Sequence, residues 1–433
     1  MTELGILADD LTGGMMVASL LEREGVSCPL VTSAEALERL PTDTEAVVVA
    51  RKIRLIAASA AKAEALRVWK AFQSLSTRRL YYKYCATFDS TNEGNIGPIT
   101  ETLMTATGSR QTIVCPAFPE YTVTVFQGRM FLGSVMLGES SKRFDPVTPM
   151  TNSNLVEVLQ PQTTAKVGLL PHGLLIRGRD AVQAELDRRA DTGMFVVDAV
   201  DDADLARIAE IVIDWPLTTG ADGLPKFLAR AWRKGVIADG GSKRRTLLPA
   251  SPGREAFIAG SCAAATLAQL DQFEKQHPVY RIDLVEAARD DGIVKDILQW
   301  AGSRLDQGPV AVATSAEVAG IKRAQAALGV AGAAELADRL LGEVASGLFA
   351  LGVRKFVVAG GETSGQVINS LGIERVEVSA FDELGGGYCH QPVPTPISLV
   401  LKAGALGAPD FFFQAMDRMR AAETQQPQNG AGK

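Results

Sequence analysis

Short apolar, β-branched runs alternate with helix-spaced stretches along most of this chain, and no feature restricts its fold more. LGILA at 4–8, CPLVT at 28–32, AVVVA at 46–50, YYKY at 81–84 and TIVC at 112–115 read as strands. Between them lie patterns such as AKAEALRVWKAFQSL, whose apolar residues recur at helical spacing. Strand, helix, strand is the crossover unit of a parallel sheet, so the expected fold is α/β. A second series follows: AFIAG at 256–260, PVAVA at 309–313, KFVVAG at 355–360 and ISLVLK at 397–402. With 433 residues the chain exceeds what one core usually serves. Two domains are expected, 1–237 and 255–423, each with a largely parallel sheet flanked by helices. ADGGSKRRTLLPASPGR, 238–254, rich in Gly, Pro and charge, reads as the linker. The polar end, 424–433, reads as a disordered tail.

Hydrophobic residues at 46% and charged residues at 22% fit an ordinary soluble globular protein. Net charge is −6, and the one basic cluster, Lys243, Arg244 and Arg245, falls in the linker, so no nucleic-acid partner is expected. MTELGILADD lacks a charged-then-apolar leader and no apolar run reaches membrane-span length, which points to a cytoplasmic protein with no membrane partner. Cys28, Cys85, Cys115, Cys262 and Cys389 are scattered without CxxC spacing, and His172, His277 and His390 are equally dispersed. Neither a cysteine-based metal site nor a Ser-His-Asp set follows from them.

The chemistry sits behind the strands. VVAGGETSG, 357–365, runs a strand into a turn in which Gly360 and Gly361 uncover backbone N–H groups. Thr363 and Ser364 add hydroxyls at a helix N-terminus, the pattern of a phosphate cradle. It matches neither the Walker loop nor GxGxxG, and the absence of GxGxxG after the first strand argues against a nicotinamide-dependent dehydrogenase. AFIAGSCAAATLAQL places Ser261 at a strand-to-helix junction, and LKAGALG brings Lys402 and Gly404 behind the last long strand. In the first half, Asp9 and Asp10 follow the first strand, where α/β sheets bind ligands. Carboxylates there can orient hydroxyls, take a proton or hold Mg²⁺ through water, although a helix cap explains one of the two. YKYCATFDSTNEGNIGP, 82–98, packs Lys83, Asp89, Ser90 and Asn95 behind another strand; Lys83 suits a carboxylate, Asp89 and Asn95 suit hydroxyls.

ADDLTGG at 8–14, the 82–98 run, CPAFPE, ESSKRFDPVTPMTNSNLV at 139–156, GSCAAATLAQ, AGGETSG and LKAGALGAPDFF at 401–412 resemble, in order, the signature segments of the four-carbon acid sugar kinase family. Within it the look is of the 3-oxo-tetronate kinases. The resemblance implies an N-terminal domain for the acid sugar, a C-terminal domain for ATP, a ligand cleft between them and Mg²⁺-assisted γ-phosphoryl transfer to a hydroxyl. Carried over by position, the nucleotide contacts are Ser261, Gly360, Gly361, Glu362, Thr363 and Gly404. The acid-sugar contacts are Asp9, Asp10, Lys83, Asp89, Ser90 and Asn95, with Asp10 as base and no metal ligand assigned. A homodimer is the default assembly.

The chain departs from the family where Met16 replaces an Asp, Tyr121-Thr122-Val123-Thr124-Val125 lacks an Arg, Arg51-Lys52-Ile53-Arg54 replaces Ser-Arg-Ser, Ala221-Asp222-Gly223-Leu224 replaces GSGL, and Gly385-Gly386-Gly387-Tyr388-Cys389 replaces a Pro-Gly-Val-Pro turn. Met16 and Val123 are expected to add apolar surface to the substrate pocket and so to alter the acid accepted. Alternatives are a branched acid such as 3-oxo-isoapionate, a reduced tetronate such as D-erythronate or D-threonate, or a non-catalytic binding protein of the same fold.

Overall fold

The computed structural model describes residues 2–41, 44–145, 147–233, 246–382, 384–385 and 387–425. The chain divides into two compact units, Met1–Arg244 and Arg245–Lys433. Both are α/β, as expected.

The first unit contains β1 (Leu4–Ala8), β2 (Leu30–Val31), β3 (Ala46–Ala50), β4 (Leu80–Lys83), β5 (Thr112–Cys115), β6 (Val123–Phe126), β7 (Arg129–Leu132), β8 (Val135–Met136), β9 (Lys166–Leu170), β10 (Thr192–Val197) and β11 (Leu217–Gly220). Its main sheet has the order β2-β3-β1-β4-β11-β5-β10-β9, with each pair parallel. Every residue of β1 and β3 is buried, as strands covered on both faces must be. Helix Ala58–Ser74 shows the complementary pattern: Ala61, Ala65, Val68 and Phe72 form its buried face. The antiparallel meander β6-β7-β8 was not expected from sequence. It follows the CPAFPE segment, and Val123 and Val125 are buried there. The expectation of a Val123 pocket surface is therefore corrected: that side chain is core.

The second unit contains β12 (Arg254–Ala259), β13 (Val279–Arg281), β14 (Val310–Ala313), β15 (Val353–Ala359), β16 (Arg375–Val378), β17 (Tyr388–Gln391) and β18 (Ile397–Lys402). Its order is β13-β14-β12-β15-β18-β17-β16. The first five are parallel; β17 runs antiparallel to both neighbours. Phe257, Phe273 and Phe412 anchor a core beneath this sheet. Tyr388 and Cys389 are buried in β17, and a Cβ on Gly387 would lie 2.0 Å from the Leu401 carbonyl oxygen. Gly387, in the glycine-rich departure before β17, thus serves strand packing.

Boundaries moved where packing overrode composition. Of 238–254, residues 238–245 lie outside the described residues. Leu248 and Ser251 are buried, and Ser251 Oγ is 3.0 Å from Ser398 Oγ, so the later part of the expected linker packs on the second unit. Arg254 already belongs to β12. Thr424 and Gln425 end helix Phe411–Gln425, so the expected tail loses its first two residues; 426–433 lie outside the described residues. Only Leu30–Val31 of the 28–32 segment forms a strand. No helix among the described residues is long and apolar enough to cross a membrane.

Candidate functional site

In the first unit β1 lies between β3 and β4, so strand order reverses beside it and opens a crevice at the carboxyl ends. Asp9 and Asp10 enter there. Asp10, extended at φ −149° and ψ 161°, caps helix Leu11–Arg23 by accepting from the Gly13 N–H at 3.2 and 3.3 Å. Arg54, from the turn after β3, donates two 2.8 Å bonds to Asp9 and one of 2.8 Å to Asp10 Oδ1. Lys83 Nζ at the end of β4 lies 3.4 Å from Asp10 Oδ1 and 3.5 Å from Asp222 Oδ1, which follows β11. Gly13 leaves room for the lysine: a Cβ there would sit 1.6 Å from Nζ.

Burial drives the Asp9 carboxyl up, and Arg54 only partly offsets this. Burial likewise raises Asp222, against the pull of Lys83. For Asp10 burial is outweighed by Lys83, Arg54 and the Gly13 N–H, which hold it down to about 2. Burial lowers Lys83, but Asp222 and Asp10 reverse this and keep it charged. Asp9 and Lys83 are each 2% exposed, whereas the Asp10 side chain remains 30% exposed.

Behind β4, Asp89 accepts from Thr87 Oγ1 at 2.7 Å and from Lys142 Nζ at 3.0 Å. Lys142 also donates to Asp145 at 2.9 Å. Ser90 is buried, its hydroxyl 3.1 Å from Gln162 Oε1. Asn95 Nδ2 donates to the carbonyls of Ile53, Ile56 and Arg54 at 2.9, 2.8 and 3.2 Å. Ser90 and Asn95 thus have protein partners, and Asn95 fixes the turn that carries Arg54. Asp9 and Lys83 are enclosed by ion pairs with Arg54, Asp10 and Asp222. Asp10 and Asp89 are the substrate candidates that remain partly accessible.

In the second unit β12 lies between β14 and β15, and strand order reverses there too. The turns after β12, β15 and β18 meet. The Gly360 N–H donates to the Lys402 carbonyl at 2.9 Å, and the Ser261 N–H to the Ala359 carbonyl at 3.2 Å. A Cβ on Gly404 would lie 1.8 Å from Ser261 Oγ, and Gly360 has φ +128°, a conformation that favours glycine. Helices Ala264–Glu274 and Gly361–Ser370 begin at these turns. Small backbone-exposing residues and two helix starts suit a phosphate chain. Thr363 is buried beneath: a Cβ on Gly260 would meet its Oγ1 at 2.1 Å. The Ser364 hydroxyl is not the free donor expected, since it bonds the Gly360 carbonyl at 2.7 Å. Glu362 is exposed in the first turn of its helix. Lys402 is 3% exposed and, among the described residues, bonds neutral acceptors alone: Thr266 Oγ1 and the carbonyls of Ala403 and Gly404, at 3.0, 3.1 and 3.0 Å. Burial without a counter-charge brings it down to about 8.

Residues 4–228 match a sugar-binding N-terminal domain and residues 256–412 a nucleotide-binding C-terminal domain. The 3-oxo-tetronate kinase of Burkholderia multivorans is 39% identical over 97% of this chain and 98% of its own length. That of Pseudomonas fluorescens is 38% identical over 97% of this chain and 98% of its own. The chain belongs to the four-carbon acid sugar kinase family. Among solved structures, a Salmonella typhimurium LT2 protein provisionally named a tRNA synthase superposes with TM-score 0.82 at 30% identity, over 96% of this chain and 99% of that one. A Haemophilus influenzae protein gives TM-score 0.76 at 31% identity, over 96% and 100%.

The strand ends of the sugar-binding domain gather charged residues that sequence reasoning did not place in the site: Arg54, Asp222 and Lys142. Arg54 and Asp222 stood in plain sight as departures from the family pattern. Lys142 lay in the quoted 139–156 segment. Their charge and position behind strands or in signature segments were the available signals; their pairing was not.

Proposed function

We propose that the chain transfers the γ-phosphoryl group of ATP to a hydroxyl of 3-oxo-tetronate or a closely related tetronate. The observation that carries the reading is the convergence of Ser261, Gly360 and Gly404 into one backbone-lined turn cluster within the nucleotide-binding domain. Full-length likeness to 3-oxo-tetronate kinases supplies the acceptor class. On this reading the N–H groups of Gly361, Glu362 and Thr363, in the first turn of helix Gly361–Ser370, hold the phosphates, those of Gly360 and Ser261 being bonded to the Lys402 and Ala359 carbonyls.

Asp10 is the acceptor-side carboxylate, being the exposed member of the ion cluster. Held down to about 2, it is a weak base, and its first task is to accept a hydrogen bond from the attacking hydroxyl. A loose phosphoryl-transfer transition state needs the proton removed only late, which such a carboxylate can do. Asp89, with Lys142 beside it, contributes the second polar contact to the acid.

No group of three or more His, Cys, Asp or Glu that could hold a metal occurs among the described residues. Asp9 and Asp10 are moreover engaged by Arg54 and Lys83. These residues do not fit a protein-built magnesium cage. Any Mg²⁺ arrives on the nucleotide phosphates, and no step here is assigned to it. A cytoplasmic homodimer completes the proposal; light scattering tests the assembly.

The test is coupled ADP release with Mg-ATP against tetronates, 3-oxo-tetronates and branched apionate-derived acids. Acid-dependent turnover with a 3-oxo-tetronate supports the reading. ATP binding without turnover on any acid would refute it in favour of a binding protein of the same fold.

A further inference from the structure

In the first unit the crevice at the strand ends holds more carboxylates than cations. Arg54 spends its Nε and Nη2 on Asp9 and Asp10. Lys83 Nζ lies between Asp10 and Asp222, at 3.4 and 3.5 Å, and Lys142 Nζ between Asp89 and Asp145, at 3.0 and 2.9 Å. Each of these three cations thus already faces two of five carboxylates. Burial raises Asp9 and Asp222, and with both protonated the cluster reaches neutrality but gains no positive surplus. Asp10 and Asp89 reach the surface, their side chains 30% and 14% exposed. An ionised carboxylate accepts hydrogen bonds and donates none, so both match the hydroxyl groups of an acceptor. A substrate carboxylate would enter among like charges whose cations are already engaged, a cost that an uncharged analogue with the same hydroxyls avoids.

We propose that the acceptor site reads hydroxyl groups rather than the carboxylate, and that the chain therefore has a second activity, phosphorylation of a neutral four-carbon keto-polyol. Erythrulose is that compound: a CH₂OH group stands where 3-oxo-tetronate has its carboxylate, and the ketone and the other hydroxyls are the same. The inference rests on the kinase reading and widens its acceptor class. In the step, the γ-phosphorus of ATP loses its bond to the oxygen that bridges to ADP and gains one to a ketose hydroxyl oxygen. The hydroxyl proton leaves by way of Asp10 to solvent, so the products are ADP, the phosphorylated ketose and a proton. Asp222 makes this a property of the present chain: it stands where the family's GSGL turn has a serine, and it gives Lys83 a second carboxylate beside Asp10. With a serine there, Lys83 would have charge to offer an acid.

The test compares kcat/KM for 3-oxo-tetronate and for both enantiomers of erythrulose in the full-length protein, by coupled ADP release against a blank without acceptor, with the phosphorylated product identified by phosphorus NMR. In wild type the acid and the better erythrulose enantiomer are expected within about tenfold of each other, the worth of one charge-assisted hydrogen bond. A larger preference for the acid overturns the inference and leaves the kinase reading standing. Asp222→Ser should raise the acid-over-ketose ratio about tenfold, because Lys83 then keeps a single carboxylate partner in the cluster. A folded variant with the wild-type ratio would overturn the charge argument, and the wild-type comparison decides the activity even if that variant fails to fold. Turnover of neither acceptor, with ATP still bound, would refute the kinase reading and the inference together.

Discussion

On the proposed reading of the turns after β12, β15 and β18 as the phosphate site, Lys402 should take up a proton when nucleotide binds. Its ammonium is buried among neutral oxygens and brought down to about 8, so at pH 8 roughly half the ligand-free molecules carry the charge. Polyphosphate on the adjoining turns supplies the missing counter-charge and restores nearly full protonation, so binding at pH 8 should take up about half a proton. Calorimetry of ADP binding in buffers of different ionisation enthalpy reads this number as a slope. Uptake should shrink toward zero at pH 6.5 and rise toward one at pH 9. Lys402→Met should abolish it. A zero slope at pH 8 in wild type, or an equal slope in the variant, would refute the reasoning. The same group sets a stability trend of definite sign. Its folded pKa lies below the usual 10.5, so between about 8 and 10.5 the unfolded chain binds more protons. Ligand-free stability should therefore rise with pH across that window. The gain relative to Lys402→Met is bounded by about 3 kcal/mol, the difference in proton affinity between the two states.

Asp10→Asn should retain the helix cap, since Asn caps as well as Asp, yet lower turnover by about 10²- to 10⁴-fold in the coupled assay; unchanged turnover would remove Asp10 from the chemistry. Asp222→Ser leaves Lys83 with Asp10 as its carboxylate partner in this cluster and should lower KM for carboxylate-bearing acceptors roughly tenfold, the worth of one charge-assisted hydrogen bond. A raised KM would show that Asp222 instead aids binding. Asn95→Ala removes three bonds that hold the Arg54 turn. It should cost about 2–4 kcal/mol in denaturant unfolding, and an effect below the error of that measurement would contradict its positioning role.

The parallel core was legible because its strands carry their signal in contiguous sequence: β1, β3, β5 and β18 coincide with the apolar runs that announced them. The meander and the antiparallel β16-β17 pair were not legible, for their strands are short and part-polar. RVEV has an intermediate–buried alternation, while YCHQ reads as polar although all four residues are buried. The turns after β12, β15 and β18 were visible as glycine and hydroxyl clusters, and their meeting needed only adjacent strands. The substrate side was harder. Lys83 and Asn95 bear the right chemistry for a ligand, but sequence cannot tell that Asp10 and Asp222 flank the one, or that three backbone carbonyls occupy the other.

In each unit the strand order reverses beside the first strand of the main sheet, so the crevice is a product of chain path rather than of any side chain. The apolar strands can stay fixed while the residues just beyond their ends drift. Arg54 and Asp222 are such residues: each follows a buried strand, and neither contributes to the sheet itself. Substitutions at such turn positions can therefore change the charge at the strand ends while the folding instructions stay untouched. Related chains should then differ most in diet where they differ least in architecture.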